Sequence, residues 1–345
     1  MSVDAFQAGI FLLVVAALVK PVGAYLERGF QRQKTCLDPL LVPVERLIHR
    51  ILGIDARGEM DWKRYSLAFG IFSAVNVVAL YFLLRWQAWL PWYFPKVMTT
   101  PMAPDLAANT AVSFVTTTTW QAYAGENTLS YFSQILLAGQ NFVAGAAGLA
   151  VGIAFIRGYV REKTENLGNF WVDLIRALLW VLVPLSVVGS IFLVWQGVPM
   201  NFLPYAVAHT IEGGTQTIAR GPVAALEFIK NLGTNGGGFF NVNGAHPFEN
   251  PTPLTNFVEL LAIVVLPAAF THTFGRMVGK PRDGWVIFWT MTALFIAGLV
   301  VCEWAEGSMH PALAHEIAGG NMEGKEVRFG VGGSALAAVV TSNGA

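Results

Sequence analysis

Charged side chains are scarce in this 345-residue chain, since Asp, Glu, Lys and Arg together make up only 13% of it. Hydrophobic residues make up 54%, aromatic residues 12%, and the mean hydropathy is +0.52. A soluble domain carries roughly a quarter charged residues. The composition therefore excludes an ordinary soluble protein and predicts an integral membrane protein.

Motifs for the common enzymatic chemistries are missing as well. The six histidines include no HExxH spacing, and His315-Glu316 lacks a second histidine, so no zinc site is supported. Neither a Walker A sequence nor an aspartyl-phosphate motif occurs, and no soluble nucleotide domain is recognisable. We therefore expect no ATP hydrolysis and no nucleotide on this chain, and any energy source lies elsewhere.

Cysteine is nearly absent, since Cys36 and Cys302 are the two thiols and no CxxC occurs. In the topology derived below they lie on opposite sides of the membrane, so they cannot pair with each other. Redox and metal roles are unsupported, and packing is the expected role of both.

Long hydrophobic runs are the dominant positive feature. Each of six stretches is long and apolar enough for a membrane-spanning helix, which needs about 20 residues, so we predict an all-α membrane protein. Asp4 precedes the first stretch and no basic residue does, which favours a retained anchor over a signal peptide. The six predicted spans are 5–26, 65–90, 130–156, 168–196, 254–278 and 284–304.

Basic residues are distributed unevenly among the loops. The stretches 27–64, 157–176 and 275–283 hold 15 of the 22 lysines and arginines. By the positive-inside rule these stretches are cytoplasmic. The predicted topology has six helices alternating from an external N-terminus, with the remaining loops outside.

A short polar loop recurs three times at a spacing of about 110 residues, as Thr116–Gln121, Gly233–Gly238 and Thr341–Ala345. Each copy follows a short apolar segment that cannot cross a bilayer but can enter it and turn back. Non-helical backbone at membrane depth is buried in protein or lines a cavity, and carbonyl-lined cavities form ion filters. We therefore predict filter walls entered from outside. The preceding segments are 106–115, 222–232 and 331–340.

The composition of the loops favours an alkali cation. The run Thr116–Thr119 offers uncharged hard oxygens, and neutral ligands favour monovalent over divalent cations. The glycines at 236–238 allow consecutive carbonyls to face one axis. Two other interpretations stay open: the threonine run is only a β-prone loop, or the glycine run is a phosphate loop, although no Lys-Ser or Lys-Thr follows it.

Nearby polar side chains have a functional and a structural interpretation each. Gln121 is a candidate ion relay, or it only braces the filter wall. Glu259, at the start of a span, is a functional candidate or half of a buried pair. Five carboxylates near the predicted external mouth either concentrate cations or are merely solvated: Asp105, Glu126, Glu249, Glu303 and Glu306.

These elements predict repeated units, each a spanning helix, a re-entrant pore loop and a second spanning helix. Parallel repeats imply rotational symmetry about an axis along the membrane normal. Residues 1–64 form an N-terminal transmembrane helix plus a basic cytoplasmic loop, 65–156 the first pore unit, 168–278 the second and 284–345 part of a third. A ring of two and a half units is open, so we expect the sequence to be C-terminally incomplete.

Four motifs carry a resemblance to a known family: Asn109–Thr116 with Trp120-Gln121, Leu232–Asn241, His246–Pro251 and Asn321–Glu326. Together they resemble the KdpA family, the potassium-binding subunits of bacterial Kdp potassium-transporting ATPases. The resemblance covers the whole chain. It implies a potassium-channel-like fold in the bacterial plasma (inner) membrane, with four pore units after one extra N-terminal helix, so a fourth unit is absent here.

The resemblance also implies a function, partners and a site. The chain would bind and translocate potassium as the ion-selective, non-catalytic subunit of an ATP-driven high-affinity importer. Implied partners are a P-type ATPase subunit that hydrolyses ATP, a single-helix accessory subunit, sometimes a small membrane peptide, and membrane lipid, with no nucleic acid. The alternatives are an autonomous potassium channel or secondary transporter, and a non-functional fragment or scaffold. The implied potassium ligands are Thr117, Thr118, Thr119, Thr234, Asn235, Gly236, Ser342, Asn343 and Gly344.

Overall fold

The computed structural model describes residues 3–90, 102–118, 120–162, 164–234, 236–307, 322 and 324–344, with side chains from residue 5 onward. Helices make up most of these residues, and the four short strands form two antiparallel pairs. The all-α membrane fold predicted from the sequence is therefore confirmed.

The helices that are long and apolar enough to cross a membrane match the six predicted spans within a few residues at most ends. Their apolar runs determine them directly, because a spanning helix satisfies every backbone hydrogen bond internally. They are α1 (Val3–Phe30), α3 (Trp62–Arg85), α6 (Tyr131–Val160), α7 (Phe170–Arg176) continuing through the π-helical Ala177–Leu182 into α8 (Val183–Trp195), α10 (Pro253–Met277) and α11 (Pro281–Gly307).

The shorter elements lie between these helices. The helices are α2 (Asp38–Leu52), α4 (Pro104–Val115), α5 (Gly125–Thr128), α9 (Val223–Leu232) and α12 (Gly330–Gly344), with 3₁₀ turns at Gln87–Trp89 and Asn243–Ala245. Strand β1 (Met60–Asp61) pairs antiparallel with β2 (Asn166–Gly168), and β3 (Ala206–His209) with β4 (Thr215–Ile218).

The described chain divides into two compact units. The central unit is Arg28–Asn256, and the terminal unit comprises Met1–Glu27 and Phe257–Ala345. This division cuts α1 and α10, whereas the boundaries predicted at 65, 156 and 284 lie within α3, α6 and α11. The division into pore units stays a prediction.

In the central unit, the short helix α4 packs against α3 through a small buried core that includes Leu84, Ala107 and Phe114. The short helix α9 packs against α8 and α6. Gly189 of α8 makes this approach feasible, because a Cβ there would overlap the ring of Phe228 on α9. Each short helix is thus held by the spanning helices beside it.

Buried ion pairs join the predicted cytoplasmic ends of the central unit's helices. Arg157 of α6 binds Asp173 of α7 with both terminal nitrogens, at 2.6 and 3.0 Å. Tyr65 of α3 donates to the same carboxylate at 3.2 Å and to the Ala150 carbonyl at 2.8 Å. Buried charged groups such as these are tolerated because each is paired and hydrogen-bonded.

Helix α2 lies inside the basic stretch that the sequence analysis treats as a loop. Pro39 occupies its first turn, where a missing N–H costs nothing, and Glu45 binds Arg176 of α7 at 2.8 Å. Leu40, Leu47 and Ile51 are exposed on it. Two prolines and several charges hid the helical periodicity of this segment.

The terminal unit has a core of its own, formed by α1, α10, α11 and α12. Its buried residues include Phe11, Val19, Ile263, Phe295 and Val340. The Thr273 hydroxyl of α10 donates to the Gly23 carbonyl of α1 at 3.0 Å.

Candidate functional site

The first candidate turn follows helix α4. Pro104 begins this helix, and its last hydrogen bond runs from the Thr116 amide to the Val112 carbonyl at 2.9 Å. Thr117 then adopts a positive φ of 59°. The Thr116 and Thr118 hydroxyls lie 2.9 Å apart, so uncharged oxygens crowd the helix end.

The second turn follows helix α9 and repeats this geometry. The Gly233 amide donates to the Ile229 carbonyl at 2.9 Å, and Thr234 then has a φ of 52°. Thr117 and Thr234 are each the second residue after their helix, so the two turns correspond residue for residue.

The conformation of these two threonines is unusual. Among the described non-glycine residues, only Arg32, Thr117, Thr234 and Asn243 have positive φ. A β-branched residue in this region is a genuine outlier, and such strain persists where the surrounding structure imposes it, commonly at functional sites. Two matched outliers at two matched helix ends indicate a site.

The loops that carry the two turns contact each other. Gln121 donates to the Gly238 carbonyl at 3.1 Å. Phe114 of α4 lies directly against Gly237, where an added Cβ would be 2.5 Å from the ring. The structure therefore brings the first and second loops together, and Gln121 braces the second, as its structural interpretation proposed.

Helix α6 supports the second turn from another side. Asn141 donates to the Gly236 carbonyl at 3.4 Å, and Gln134 donates to the Phe239 carbonyl at 3.3 Å. One turn farther along the helix, Gly145 approaches the backbone so closely that a Cβ would lie 3.2 Å from the Gly233 Cα.

The amide groups of the same segment are held by acidic and amide oxygens. Glu249 accepts from the Phe239 amide at 2.9 Å and from the Phe240 amide at 3.3 Å, and Asn243 accepts from the Gly238 amide. Glu249 is fully buried. Glu249 is therefore neither a solvated carboxylate at the external mouth nor one that concentrates cations there.

An ion cluster lies behind this segment. The Lys230 ammonium lies 2.5 Å from the Glu227 carboxylate and 4.0 Å from that of Glu249. Burial raises the pKa of the Glu249 carboxyl well above its usual range, Lys230 opposes that rise, and Glu227 adds to it. Glu227 and Lys230 were not among the residues predicted from the sequence. Two charges three residues apart in an otherwise apolar segment were the available signal.

The third candidate loop differs from the other two. Helix α12 continues through Gly344, so Ser342, Asn343 and Gly344 are helical where the sequence predicts a turn. Along this helical stretch the Ser342 side chain donates to the Ala338 carbonyl at 2.7 Å, and that of Asn343 to the Val339 carbonyl at 2.7 Å. These residues belong to the terminal unit.

Two of the predicted ligands, Thr119 and Asn235, lie outside the described residues. Of the predicted mouth carboxylates, Asp105 is exposed, and Glu126 accepts from the Asn241 amide at 2.9 Å. Glu259 of the terminal unit is buried. Within the described part of the chain, no group of three His, Cys, Asp or Glu residues could hold a metal ion.

Fold and site together define a class: a multi-pass α-helical membrane protein in which short helices end in strained, oxygen-rich turns. The sequence profile of the KdpA family, described as "Potassium-transporting ATPase A subunit", matches residues 9–345. The chain belongs to this family, and the resemblance stated from the motifs is confirmed.

Curated relatives support this assignment. A "Potassium-transporting ATPase potassium-binding subunit" from Methylorubrum extorquens is 54% identical over 97% of this chain and 59% of its own length. The proteins of the same name from Granulibacter bethesdensis and Koribacter versatilis are 52% and 47% identical. They are covered over 59% and 61% of their lengths. The chain thus spans about three fifths of the length of these relatives.

Proposed function

We propose that this chain binds potassium and is the ion-selective subunit of an ATP-driven potassium importer. Two matched helix ends, each followed by a threonine at positive φ, carry the proposal. The names of the curated relatives support it and favour it over an autonomous channel or secondary transporter. The proposed ligands in the central unit are Thr117, Thr118, Thr119, Thr234, Asn235 and Gly236, and a contribution of Ser342, Asn343 and Gly344 stays a prediction.

The chemistry of binding follows from the ligands. Threonine hydroxyls and backbone carbonyls replace the water shell of a cation, and the absence of charge on them favours a monovalent ion. Helices α4 and α9 direct their C-terminal ends, which carry partial negative charge, toward these turns. Dehydrated potassium is then handed to a partner that hydrolyses ATP. The proposed partners are a P-type ATPase subunit, a single-helix accessory subunit and, in some complexes, a small membrane peptide.

Rubidium binding to the purified chain in lipid nanodiscs tests the proposal. We expect saturable ⁸⁶Rb⁺ binding that potassium displaces and lithium does not. A Thr234→Val chain, which loses a hydroxyl at unchanged shape, is expected to bind about 5- to 10-fold more weakly, as for the loss of one hydrogen-bonding group. Thr217→Val, on exposed strand β4, is the matched control and keeps wild-type affinity. Equal binding by all three chains would contradict the assignment of the turn.

We further propose that the chain resides in the bacterial inner membrane with its N-terminus and the filter loops outside. The lysines and arginines concentrated in 27–64, 157–176 and 275–283 support this orientation.

Cys36 offers a direct test of the orientation, because its thiol is exposed in the segment between α1 and α2. We expect a membrane-impermeant maleimide to label Cys36 in inside-out vesicles and to leave it unlabelled in intact spheroplasts. A Cys36→Ser chain reports labelling of Cys302 alone and serves as the control. Labelling of Cys36 from outside would reverse the topology.

A further inference from the structure

Three side chains converge on one backbone position behind the second turn. A Cβ at Gly238 would lie 2.6 Å from the Glu249 carboxylate, 2.7 Å from the Asn243 amide oxygen and 2.7 Å from the Lys230 ammonium. Glycine at 238 is therefore what allows this polar cluster to reach the main chain. An ion pair that served only to join helices would not require such an approach to the backbone.

The cluster binds the backbone N–H groups of the segment Gly238–Phe240. One carboxylate oxygen, Oε1 of Glu249, accepts from two successive amides, those of Phe239 and Phe240, at 2.9 and 3.3 Å. The amide before them, at Gly238, donates to Asn243, which also accepts from Lys230 at 3.5 Å. Three consecutive N–H groups are thus bound by Glu249 and Asn243.

Side chains from elsewhere in the central unit donate hydrogen bonds to the backbone carbonyls of the same loop. The carbonyls of Gly236, Gly238 and Phe239 each accept from an amide nitrogen. Backbone with hydrogen bonds on both edges has little freedom to change the spacing of its oxygens. Fixed spacing matters for an ion site, because discrimination between potassium and sodium depends on the size of the cavity and on the number and field strength of its ligands.

The charges of the cluster explain why it tolerates burial. Glu227, Lys230 and Glu249 are each at most 3% exposed. Asn231 donates to Glu227 at 3.0 Å, and the Lys230 ammonium lies 2.5 Å from the Glu227 carboxyl group and 4.0 Å from that of Glu249. Removal of one partner from a buried group of charges leaves the others uncompensated, so Glu249 and Lys230 act as one unit.

We propose that Glu249 is a positioning residue that holds Gly238–Phe240 in place and thereby sets the discrimination of the second turn between potassium and sodium. This inference rests on the proposed function only for the identity of the ion. The hydrogen bonds that Glu249 accepts from the backbone do not depend on that function. Glu249 does not touch the ion. It acts through the peptide units that connect it to Gly236 and Thr234.

Amide hydrogen exchange of the purified chain, measured without any ion, tests whether Glu249 holds the backbone in place. In Glu249→Leu, which removes the acceptor oxygen at similar size, we expect the Phe239 and Phe240 amides to exchange about tenfold faster or more, as for lost hydrogen bonds. Glu249→Asp keeps the carboxyl group but shortens its reach, and an intermediate increase is expected. Glu212→Leu, in the exposed turn between β3 and β4, is the control and leaves exchange at these amides unchanged.

Rubidium binding with sodium as competitor tests the consequence for selectivity. We expect sodium to compete about tenfold better in Glu249→Leu than in wild type, with Glu249→Asp in between and Glu212→Leu unchanged. Unchanged exchange at Phe239 and Phe240 in both Glu249 variants overturns the inference. Faster exchange with unaltered sodium competition overturns the role in selectivity. A wild-type chain that binds no rubidium contradicts the proposed function, while the exchange result still decides whether Glu249 holds the backbone.

Discussion

A chain carrying Gly237→Ala is expected to lose at least about tenfold in potassium affinity while it stays inserted and helical. Gly237 has a φ of +72°, where an L side chain is strained by roughly 1–2 kcal/mol. Its new Cβ would also lie 2.5 Å from the Phe114 ring. Phe114 is 1% exposed and packed in the core of α3 and α4, so the glycine loop has to move instead.

Displacement of the loop shifts the carbonyl oxygens beside Gly237, and about 1.4 kcal/mol of lost interaction is tenfold in affinity. Rubidium binding measures the effect. Gly279→Ala is the matched control, because Gly279 has a φ of +75° and nothing within 4 Å of its added Cβ. The control has the same backbone strain without the clash. Equal affinities in the two variants would show that the contact with Phe114 does not matter for ion binding.

Replacement of Arg157 by methionine is expected to have the largest effect on stability. The Asp173 side chain is only 3% exposed, and Arg157 supplies two of the hydrogen bonds to it and the opposite charge. A buried carboxylate that loses its partner destabilises the fold by about 3–5 kcal/mol. Thermal unfolding of the detergent-solubilised chain, followed by the loss of monodisperse protein, measures the change.

Two further variants separate charge from packing at this site. Arg157→Met combined with Asp173→Leu removes both charges, and we expect it to recover most of the lost stability. Arg161→Met breaks an ion pair with Glu59 whose side chains are 32% and 44% exposed, so its cost is about 1 kcal/mol or less. A double variant as unstable as Arg157→Met would point to shape, rather than charge, as the origin of the effect.

The sequence was most informative where the physics is local. Hydropathy placed the spans, because about 20 apolar residues in succession have few alternatives to a membrane helix. The apolar segments at 106–115 and 222–232 predicted α4 and α9 to within two residues at each end. The helix ends followed from the polar and glycine residues after them, since Thr116 and Gly233 stop the apolar pattern.

The features that were missed depend on three-dimensional packing rather than on the hydropathy pattern. Glu249 is buried against the Phe239 and Phe240 amides, and a carboxyl group in a polar loop gives no sign of this in the sequence. The positive φ of Thr117 and Thr234 likewise contradicts the local preference of a β-branched residue. At the third copy the helix of the preceding apolar segment continues through Ser342 and Asn343 instead of ending in the expected turn.

The contact between Gly145 and Gly233 links two positions that are 88 residues apart. Because a side chain at 145 would press on the filter backbone, substitutions at the two positions are expected to have non-additive effects. We therefore expect a larger residue in the middle of α6 to change rubidium affinity without touching a proposed ion ligand. A single methyl group added at Gly145 is expected to displace the second turn by a few tenths of an ångström, which makes this position a means of adjusting the turn from a neighbouring helix.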